Sequence, residues 1–218
     1  MTDDTPIRPR SRRKEARPAE LLAAALDCFA EKGFAATRMD DIARRAGVAK
    51  GTFYLYFPSK EAVFEALVRE NILPRLEALE RVGQAGGGSA SARLRAILAG
   101  LAPVIGNPRL VAIPKLVLSE AGNFPDMARF YRREVVERGL RLMTGLIRNG
   151  IAAGEFRPLP DPAVTARLFM APVLMAALWQ AGFAATDETP LPVETLLSTH
   201  ADLFIRSIAA EQGTGGAA

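Results

Sequence analysis

The chain has 218 residues, 49% of them hydrophobic, which is enough for one large or two modest folded domains. With a single cysteine and a single histidine, it can form no intrachain disulfide, and most metal and catalytic-triad chemistry is excluded. The first 60 residues hold 12 Lys and Arg against 8 Asp and Glu, whereas the remainder is balanced, so the net charge of +4 lies in the N-terminal part. That part is therefore expected to contact a polyanion, with DNA, RNA and an anionic membrane as candidates.

Residues 1–17 contain arginines, a lysine and almost nothing apolar, which predicts a flexible basic arm. Such an arm could be a solubilising tail, or it could reach into a DNA minor groove, with Arg12 and Arg13 as the candidate contacts. No apolar stretch suited to a signal peptide follows it, and the longest apolar run, residues 168–179, is too short to span a membrane. We expect a cytoplasmic protein without a membrane segment, ending in a disordered tail at 212–218.

The apolar periodicity between these ends predicts about nine helices and no strands, so the fold class is all-α. Thr37 is interpreted as the N-cap of the second helix, with Asp40 three residues later. Cys28 is interpreted as an apolar filler of the first helix. The Gly/Ser-rich residues 83–92 predict a loop. The predicted helices are 18–33, 39–46, 49–57, 59–82, 92–105, 108–121, 125–153, 162–184 and 192–210.

The segment TRMDDIARRAGVAKGTFYLYFPSKEAVF, residues 37–64, carries the functional signal. Its two short helices, joined at Gly47, predict a helix-turn-helix whose second helix enters the DNA major groove. Lys50 and Thr52 lie at the start of that helix, where side chains and backbone amides can meet phosphates or base edges. Gly51 leaves the backbone free of side-chain bulk where DNA would approach.

Aromatic and basic residues extend the predicted interface. Tyr54 and Tyr56 point away from the apolar side of the second helix, and hydroxyls on a solvent face have few other purposes. Lys60 opposes the dipole of the next helix, a penalty of roughly 0.5 kcal/mol that a nearby phosphate would offset. The candidate DNA-contacting residues are Arg12, Arg13, Thr37, Lys50, Gly51, Thr52, Tyr54, Tyr56 and Lys60.

The stretch AGVAKGTFYLYFPSKEAVF closely resembles the recognition segment of TetR-family regulators, and the resemblance covers about residues 18–70. It implies a DNA-binding domain at 18–64 and, at 65–211, a domain that binds an effector and dimerises through its last two helices. One departure is Ala49, where the family usually has Ser or Thr, so about 1 kcal/mol of capping is lost. A weaker resemblance, over about residues 116–158, is to the AefR-like subgroup.

The C-terminal helices supply the remaining predictions. The helix at 162–184 is apolar nearly all round, so it packs either within the chain or, as the resemblance implies, with 192–210 in a homodimer. Pro74 lies inside the predicted helix 59–82, and we hypothesise that it is a pivot between sensor and reader. The candidate effector-binding residues are Phe130, Met143, Ile147, Met170, Leu174 and Trp179.

The sequence thus predicts a regulator that leaves a near-palindromic operator when it binds a small apolar or amphipathic effector. The alternative is a DNA-binding architectural protein without an effector. The sequence shows no metal-ligand cluster, P-loop or nucleotide fingerprint, so we expect neither enzymatic activity nor a cofactor.

Overall fold

The computed structural model describes residues 18–190 and 192–211, most of which are helical. Arg12, Arg13 and the predicted arm and tail lie outside the described residues. A π-helical segment, Arg132–Val136, joins α8 to α9, and a 3-10 turn, Ala184–Thr186, follows α10. The α-helices are α1 Pro18–Ala36, α2 Met39–Arg45, α3 Lys50–Tyr56, α4 Lys60–Asn71, α5 Leu73–Gln84, α6 Ala90–Ile105, α7 Pro108–Glu120, α8 Pro125–Tyr131, α9 Glu137–Ala152, α10 Pro162–Gly182 and α11 Val193–Ile208.

The all-α prediction is confirmed, and two of the predicted helices are each divided. The predicted helix 59–82 is wrong as a continuous element, because α4 and α5 meet at Ile72, whose backbone is distorted to φ −108° and ψ −50°. Pro74 lies in the first turn of α5, at the start of a helix and not in a helix interior. A proline is tolerated there because the first N–H groups of a helix have no intrahelical acceptor. The predicted helix 125–153 is divided by the π-helical segment.

Side-chain caps fix the starts of several helices. Ser59 accepts a hydrogen bond from the backbone N–H of Ala62 at 3.2 Å. Asn107 and Asp161 cap α7 and α10 by accepting from backbone N–H groups of the first turn. These caps satisfy amide groups that would otherwise lack partners, typically stabilising each helix by about 1 kcal/mol.

The first hydrophobic core lies among α1 to α4 but also takes side chains from α7 and α8. Phe29, Phe34 and Phe64 are almost fully buried in it, and Cys28 is buried beside them as predicted. The apolar residues that α7 and α8 contribute are Ile113, Leu116, Val117, Met127 and Phe130. The helix-turn-helix unit therefore shares its core with later helices, although the domain boundary predicted after residue 64 remains a prediction.

The second hydrophobic core lies among α6, α9, α10 and α11. Phe169 is fully buried there, and its backbone carbonyl lies 2.8 Å from Nε2 of His200, so α10 and α11 are joined by a hydrogen bond. Pro103, Pro114 and Pro172 lie inside α6, α7 and α10. Within the described residues, α10 alone is long and apolar enough to cross a membrane by itself, a property shared with core helices of soluble proteins.

Candidate nucleic-acid interface

The helix-turn-helix is held by apolar contacts beneath it and by a tight turn. Phe53 of α3 and Ile42 of α2 are fully buried, which fixes the two helices against the first core. Gly47 adopts φ +69°, a left-handed conformation that favours glycine, and allows the N–H of Val48 to reach the carbonyl of Ala43 at 3.1 Å. The turn therefore orients α3 across α2 as the sequence predicts.

The outer side of α3 faces solvent because Phe53 faces the core. Gly51 and Thr52 are exposed, and the side chains of Tyr54 and Tyr56 are 39% and 40% exposed. Leu55, which lies between the tyrosines, is 87% exposed. The structure thus brings Gly51, Thr52, Tyr54 and Tyr56 onto one accessible surface, which we call the α3 surface and to which Leu55 also belongs.

Lys50 lies at the edge of the α3 surface and is already paired. Its ammonium lies 2.9 Å from Oδ2 of Asp40 and 5.8 Å from the centre of the Tyr54 ring. The hydrogen bond with Asp40 raises the pKa of Lys50, so its positive charge is maintained. Sequence reasoning assigned Asp40 to a helix cap and missed this pairing, because residues 40 and 50 meet only once the turn has folded.

No side chain caps the start of α3. Ala49 occupies the N-cap position with extended backbone angles and offers no oxygen to the first amide groups. The departure noted in the sequence therefore has the expected structural consequence. Exposed amides at this end of α3 leave hydrogen-bond donors directed outward.

Thr37 has a different role from the predicted one. The N-cap of α2 is Arg38, without a side-chain hydrogen bond, so the predicted Thr37 cap is wrong. Thr37 is 2% exposed, and its single hydroxyl hydrogen is shared between the carbonyls of Cys28 at 3.1 Å and Gly33 at 2.7 Å, of which Gly33 is the closer. Gly33 breaks the helical geometry with φ +78°, and a free carbonyl there needs a donor. Thr37 supplies it, and its side chain is not accessible to DNA in this conformation.

Lys60 is likewise directed into the protein. Its ammonium donates hydrogen bonds to the carbonyls of Phe34 at 2.6 Å, Ala35 at 3.1 Å and Thr37 at 3.1 Å. It also lies 4.7 Å from the centre of the Phe34 ring. The three N–H groups of the ammonium are matched by three carbonyls, so the positive charge stabilises the end of α1, and the predicted need for a phosphate loses its basis.

The end of α1 connects the helix-turn-helix unit to the end of α7 and to the residues that follow α7. The N–H of Ala35 donates to Oε1 of Glu120 at 3.1 Å, and this bond lowers the pKa of the Glu120 carboxyl, assisted by the side chain of Asn123. The rings of Phe34 and Phe124 lie edge to face with their centres 4.7 Å apart. Movement of the α7–α8 connection would therefore reach α1 directly.

The six predicted effector-binding residues are distributed over two cores and the surface of α10, and their role in binding an effector stays a prediction. Phe130 lies in the first core, whereas Met143 and Ile147 are buried in the second. Of the three candidates on α10, Leu174 and Trp179 are exposed, and Met170 is partly buried against the second core. The sequence placed Phe130, Met143 and Ile147 on one helix, 125–153, and so facing one cavity. The π-helical segment divides that helix, and α8 packs in the first core whereas α9 packs in the second.

Two open clefts are formed by described residues. One, of about 220 Å³, is lined by Cys28 and by charged residues of α1 and α2. The other, of about 570 Å³, lies between α6 and α11, with Arg95, Glu194 and Asp202 around a floor that includes Leu98 and Ala201. The described part of the chain contains no group of three or more His, Cys, Asp or Glu side chains suited to hold a metal ion.

Comparison with known families agrees with this geometry. The family model described as "Bacterial regulatory proteins, tetR family" matches residues 21–67, which include the helix-turn-helix. A second model, described as "Tetracyclin repressor-like, C-terminal domain", matches residues 84–191. An uncharacterised HTH-type transcriptional regulator of Bacillus subtilis, YfiR, is 30% identical over 159 residues, which is 72% of this chain and 76% of that protein.

Two solved structures share the fold. FadR of Bacillus subtilis in complex with stearoyl-CoA has a TM-score of 0.73 at 21% identity, over 87% of this chain and 98% of that one. The complex of triclosan with SmeT, the repressor of a multidrug efflux pump of Stenotrophomonas maltophilia, has a TM-score of 0.75 at 23% identity. That likeness covers 89% of this chain and 92% of SmeT.

Proposed function

The chain belongs to the tetR family of bacterial regulatory proteins, and we propose that it is a ligand-responsive transcriptional repressor. It binds a near-palindromic operator as a homodimer and leaves the operator when it binds a small apolar or amphipathic molecule. The observation that carries this proposal is the α3 surface, where polar and aromatic groups, with Lys50 at the edge, project from a helix that is anchored by the fully buried Phe53. Such a helix fits the major groove.

Every member of the α3 surface except Leu55 has a proposed role, and so does Lys50 at its edge. Lys50 exchanges its ion pair with Asp40 for a DNA phosphate, and Thr52 donates to a phosphate or a base edge. Tyr54 and Tyr56 direct their hydroxyls to the two sides of the groove. Gly51 allows close approach of the helix backbone. We do not include Thr37 or Lys60, because backbone carbonyls engage their donors.

The proposed homodimer forms through α10 and α11. Val164, Leu168, Met175 and Trp179 recur on α10 at spacings of 4, 7 and 4, and all are exposed, although the opposite side of the helix lies in the second core. Leu203 of α11 is also exposed. Contiguous exposed apolar side chains mark an interaction site, and a two-fold pair of such helices would bury them.

The effector class is proposed from the ligands of structural relatives. FadR carries stearoyl-CoA and SmeT carries triclosan, and both ligands combine apolar and polar parts. We place an effector of the same class among the helices of the second core. The hydrogen bond from Ala35 to Glu120 and the contact of Phe34 with Phe124 are the route by which its binding displaces α1.

The same proposal gives the chain a cytoplasmic location and no catalytic role. The single histidine, His200, pairs with the carbonyl of Phe169 between α10 and α11, so it serves the packing of the second core. No other residue described above has the setting of a catalytic acid or nucleophile.

The decisive experiment selects DNA bound by the purified protein from a random library. The expected outcome is a two-fold-related sequence, bound more weakly at higher salt. The double variant Lys50→Ala with Tyr54→Ala should lose that sequence, whereas Arg148→Ala, which removes an exposed charge from α9, should retain it. Failure to enrich any two-fold-related sequence would refute DNA recognition.

A second arm tests the response to ligand. The selected operator is titrated in the presence of triclosan or a long-chain acyl-CoA, as probes of the proposed effector class. Release of the operator by either probe supports a ligand-responsive repressor. Unchanged binding with a broad panel of such probes would favour the alternative, an architectural DNA-binding protein without an effector.

A further inference from the structure

Leu55 has an environment that no role assigned above explains. Its side chain is 87% exposed, more than any other large apolar side chain among the described residues. The other strongly exposed apolar side chains of this size lie mainly on α10 and α11, where the proposed dimer covers them. Leu55 is instead on α3, between two tyrosines that face the proposed DNA.

The helical geometry places Leu55 at the outermost point of α3. Phe53 is fully buried, and residues two before and two after it in a helix are rotated about 200° away from it. Those residues are Gly51 and Leu55, which are four apart and therefore neighbours on the same outer side. The helix thus presents bare backbone at Gly51 and an apolar side chain one turn later.

Gly51 is evidence that a binding partner comes close to this side of α3. A Cβ atom added to Gly51 would have no neighbour within 4 Å, and its backbone is helical, so the folded chain does not require glycine there. Glycine lowers helix stability relative to alanine. The missing side chain is therefore explained by a partner that approaches α3 closely at Gly51, and Leu55 lies beside that point of approach.

The chemistry of leucine restricts what it can recognise on DNA. It has no hydrogen-bond donor or acceptor, so phosphate oxygens and the polar edges of bases gain nothing from it. The apolar feature of the major groove is the 5-methyl group of thymine, which is commonly read by apolar side chains. We infer that Leu55 contacts a thymine methyl group in each half of the operator and so specifies thymine there. This inference rests on the proposed DNA-binding function.

The test replaces thymine by deoxyuridine, one position per half-site at a time, in the operator obtained by selection. Deoxyuridine keeps base pairing and every polar group and removes only the methyl group. At one or two positions the wild-type protein should bind about fourfold more weakly per substituted half-site, the factor expected for burial of one methyl group. At the same positions Leu55→Ala should show no further loss.

Two further variants separate methyl recognition from general weakening. Leu55→Met keeps an apolar side chain of similar reach and should retain the deoxyuridine effect. Lys50→Ala should weaken binding to the thymine and deoxyuridine operators by a similar factor, so it should also retain the deoxyuridine effect. Because Leu55 is exposed, Leu55→Ala should match the wild type in thermal unfolding.

The failures of the two proposals are distinguishable. If selection yields an operator but Leu55→Ala loses as much affinity on deoxyuridine substitution as the wild type at every position, thymine recognition by Leu55 is overturned and DNA binding stands. If Leu55→Ala weakens the thymine and deoxyuridine operators by the same factor, Leu55 contacts a part of DNA common to both, such as deoxyribose, and the inference is again wrong. If no operator is selected, the proposed function itself fails.

Discussion

The ammonium of Lys50 and Oδ2 of Asp40 lie 2.9 Å apart across the turn between α2 and α3. The lysine proposed to bind phosphate is thus held, in the absence of DNA, by a carboxylate of its own chain. Both side chains are about half exposed, so the pair is weak and easily exchanged. Asp40 also places a negative charge beside the proposed DNA, where it opposes any phosphate that approaches.

Asp40→Asn should therefore increase affinity for DNA of random sequence. Removing a competing carboxylate at the surface is worth a few tenths of a kcal/mol to about 1 kcal/mol, which corresponds to a gain of roughly two- to fivefold. The gain should shrink as salt rises. Fluorescence anisotropy with a labelled duplex at several salt concentrations measures it.

A matched variant separates the local effect from net charge. Asp126→Asn makes the same charge change on α8, where Asp126 pairs with Arg129. It should leave the affinity for random DNA nearly unchanged. An equal gain in both variants would mean that Asp40 acts only through the overall charge of the protein.

Gly51→Ala should stabilise the protein and weaken operator binding. The open space around Gly51 accepts a methyl group, and replacing glycine in a helix typically raises the free energy of unfolding by about 0.5–1 kcal/mol. The same methyl group would separate α3 from DNA. Denaturant unfolding and operator titration measure the two effects.

The control for this variant is Gly139→Ala in α9, where an added Cβ also meets nothing within 4 Å. It should raise stability by a similar amount without changing operator affinity. If Gly51→Ala bound the operator as tightly as the wild type, DNA would not approach α3 at residue 51.

Lys60→Met tests whether this lysine is structural. The variant keeps most of the side-chain length but leaves the carbonyls of Phe34, Ala35 and Thr37 without their donor. Loss of hydrogen bonds from a charged donor should lower the free energy of unfolding by about 1–3 kcal/mol. At a temperature where the variant is folded, the salt dependence of operator binding should keep its wild-type slope.

Lys50→Ala provides the comparison, since loss of one phosphate contact should reduce that slope by about one. A reduced slope in Lys60→Met would show that Lys60 reaches a phosphate after all, and the assignment to the end of α1 would be incomplete.

The sequence predicted the elements of the fold because local signals agree with one another. Apolar periodicity, Gly47 in the turn and the capping residues Ser59, Asn107 and Asp161 each fix a helix by contacts within a few residues. The break at Ile72 lacked such a signal, because the nearby Pro74 is compatible both with a kink and with a helix start.

The site was predicted only where a residue's role follows from its own helix. The exposure of Tyr54 and Tyr56 follows from the burial of Phe53 by periodicity alone. The roles of Lys60 and Thr37 do not follow from their own helices, because both side chains donate to backbone carbonyls near the end of α1. For Lys60 those carbonyls are more than twenty residues away in the sequence. No sequence pattern indicates which carbonyls lack a donor within the helix. The six candidate effector-binding residues are spread over two cores and the surface for a similar reason, since periodicity identifies the inward side of a helix but not which core that side enters.

Glu120→Gln should make the protein's stability less dependent on acid pH. The hydrogen bond from the N–H of Ala35 lowers the pKa of Glu120 below its ordinary value of 4.5, so the folded state favours the ionised carboxylate. This stabilisation is complete above that ordinary value and is lost as the pH falls through the lowered one. Thermal unfolding followed from pH 6 to pH 3 should show the wild type approaching the variant as the pH falls. A difference that stayed constant over this range would show that ionisation of Glu120 does not stabilise the fold.

Leu168→Glu should dissociate the proposed homodimer. The side chain of Leu168 is 62% exposed on the side of α10 that faces away from the second core, so the substitution is compatible with the fold of one chain. In a two-fold interface each substitution occurs twice, and replacing two buried leucines by charged groups should weaken association by about 100-fold or more. Sedimentation analysis measures the effect directly.

Leu118→Glu is the matched control, because Leu118 is 53% exposed on α7, outside the proposed interface. It should leave the dimer intact, so that only Leu168→Glu converts the protein to a monomer. The monomer carries one α3 surface and should bind the operator more weakly, since the two half-sites are no longer held by one molecule. A dimer that persisted in Leu168→Glu and dissociated in Leu118→Glu would place the interface on α7 and refute the assignment to α10 and α11.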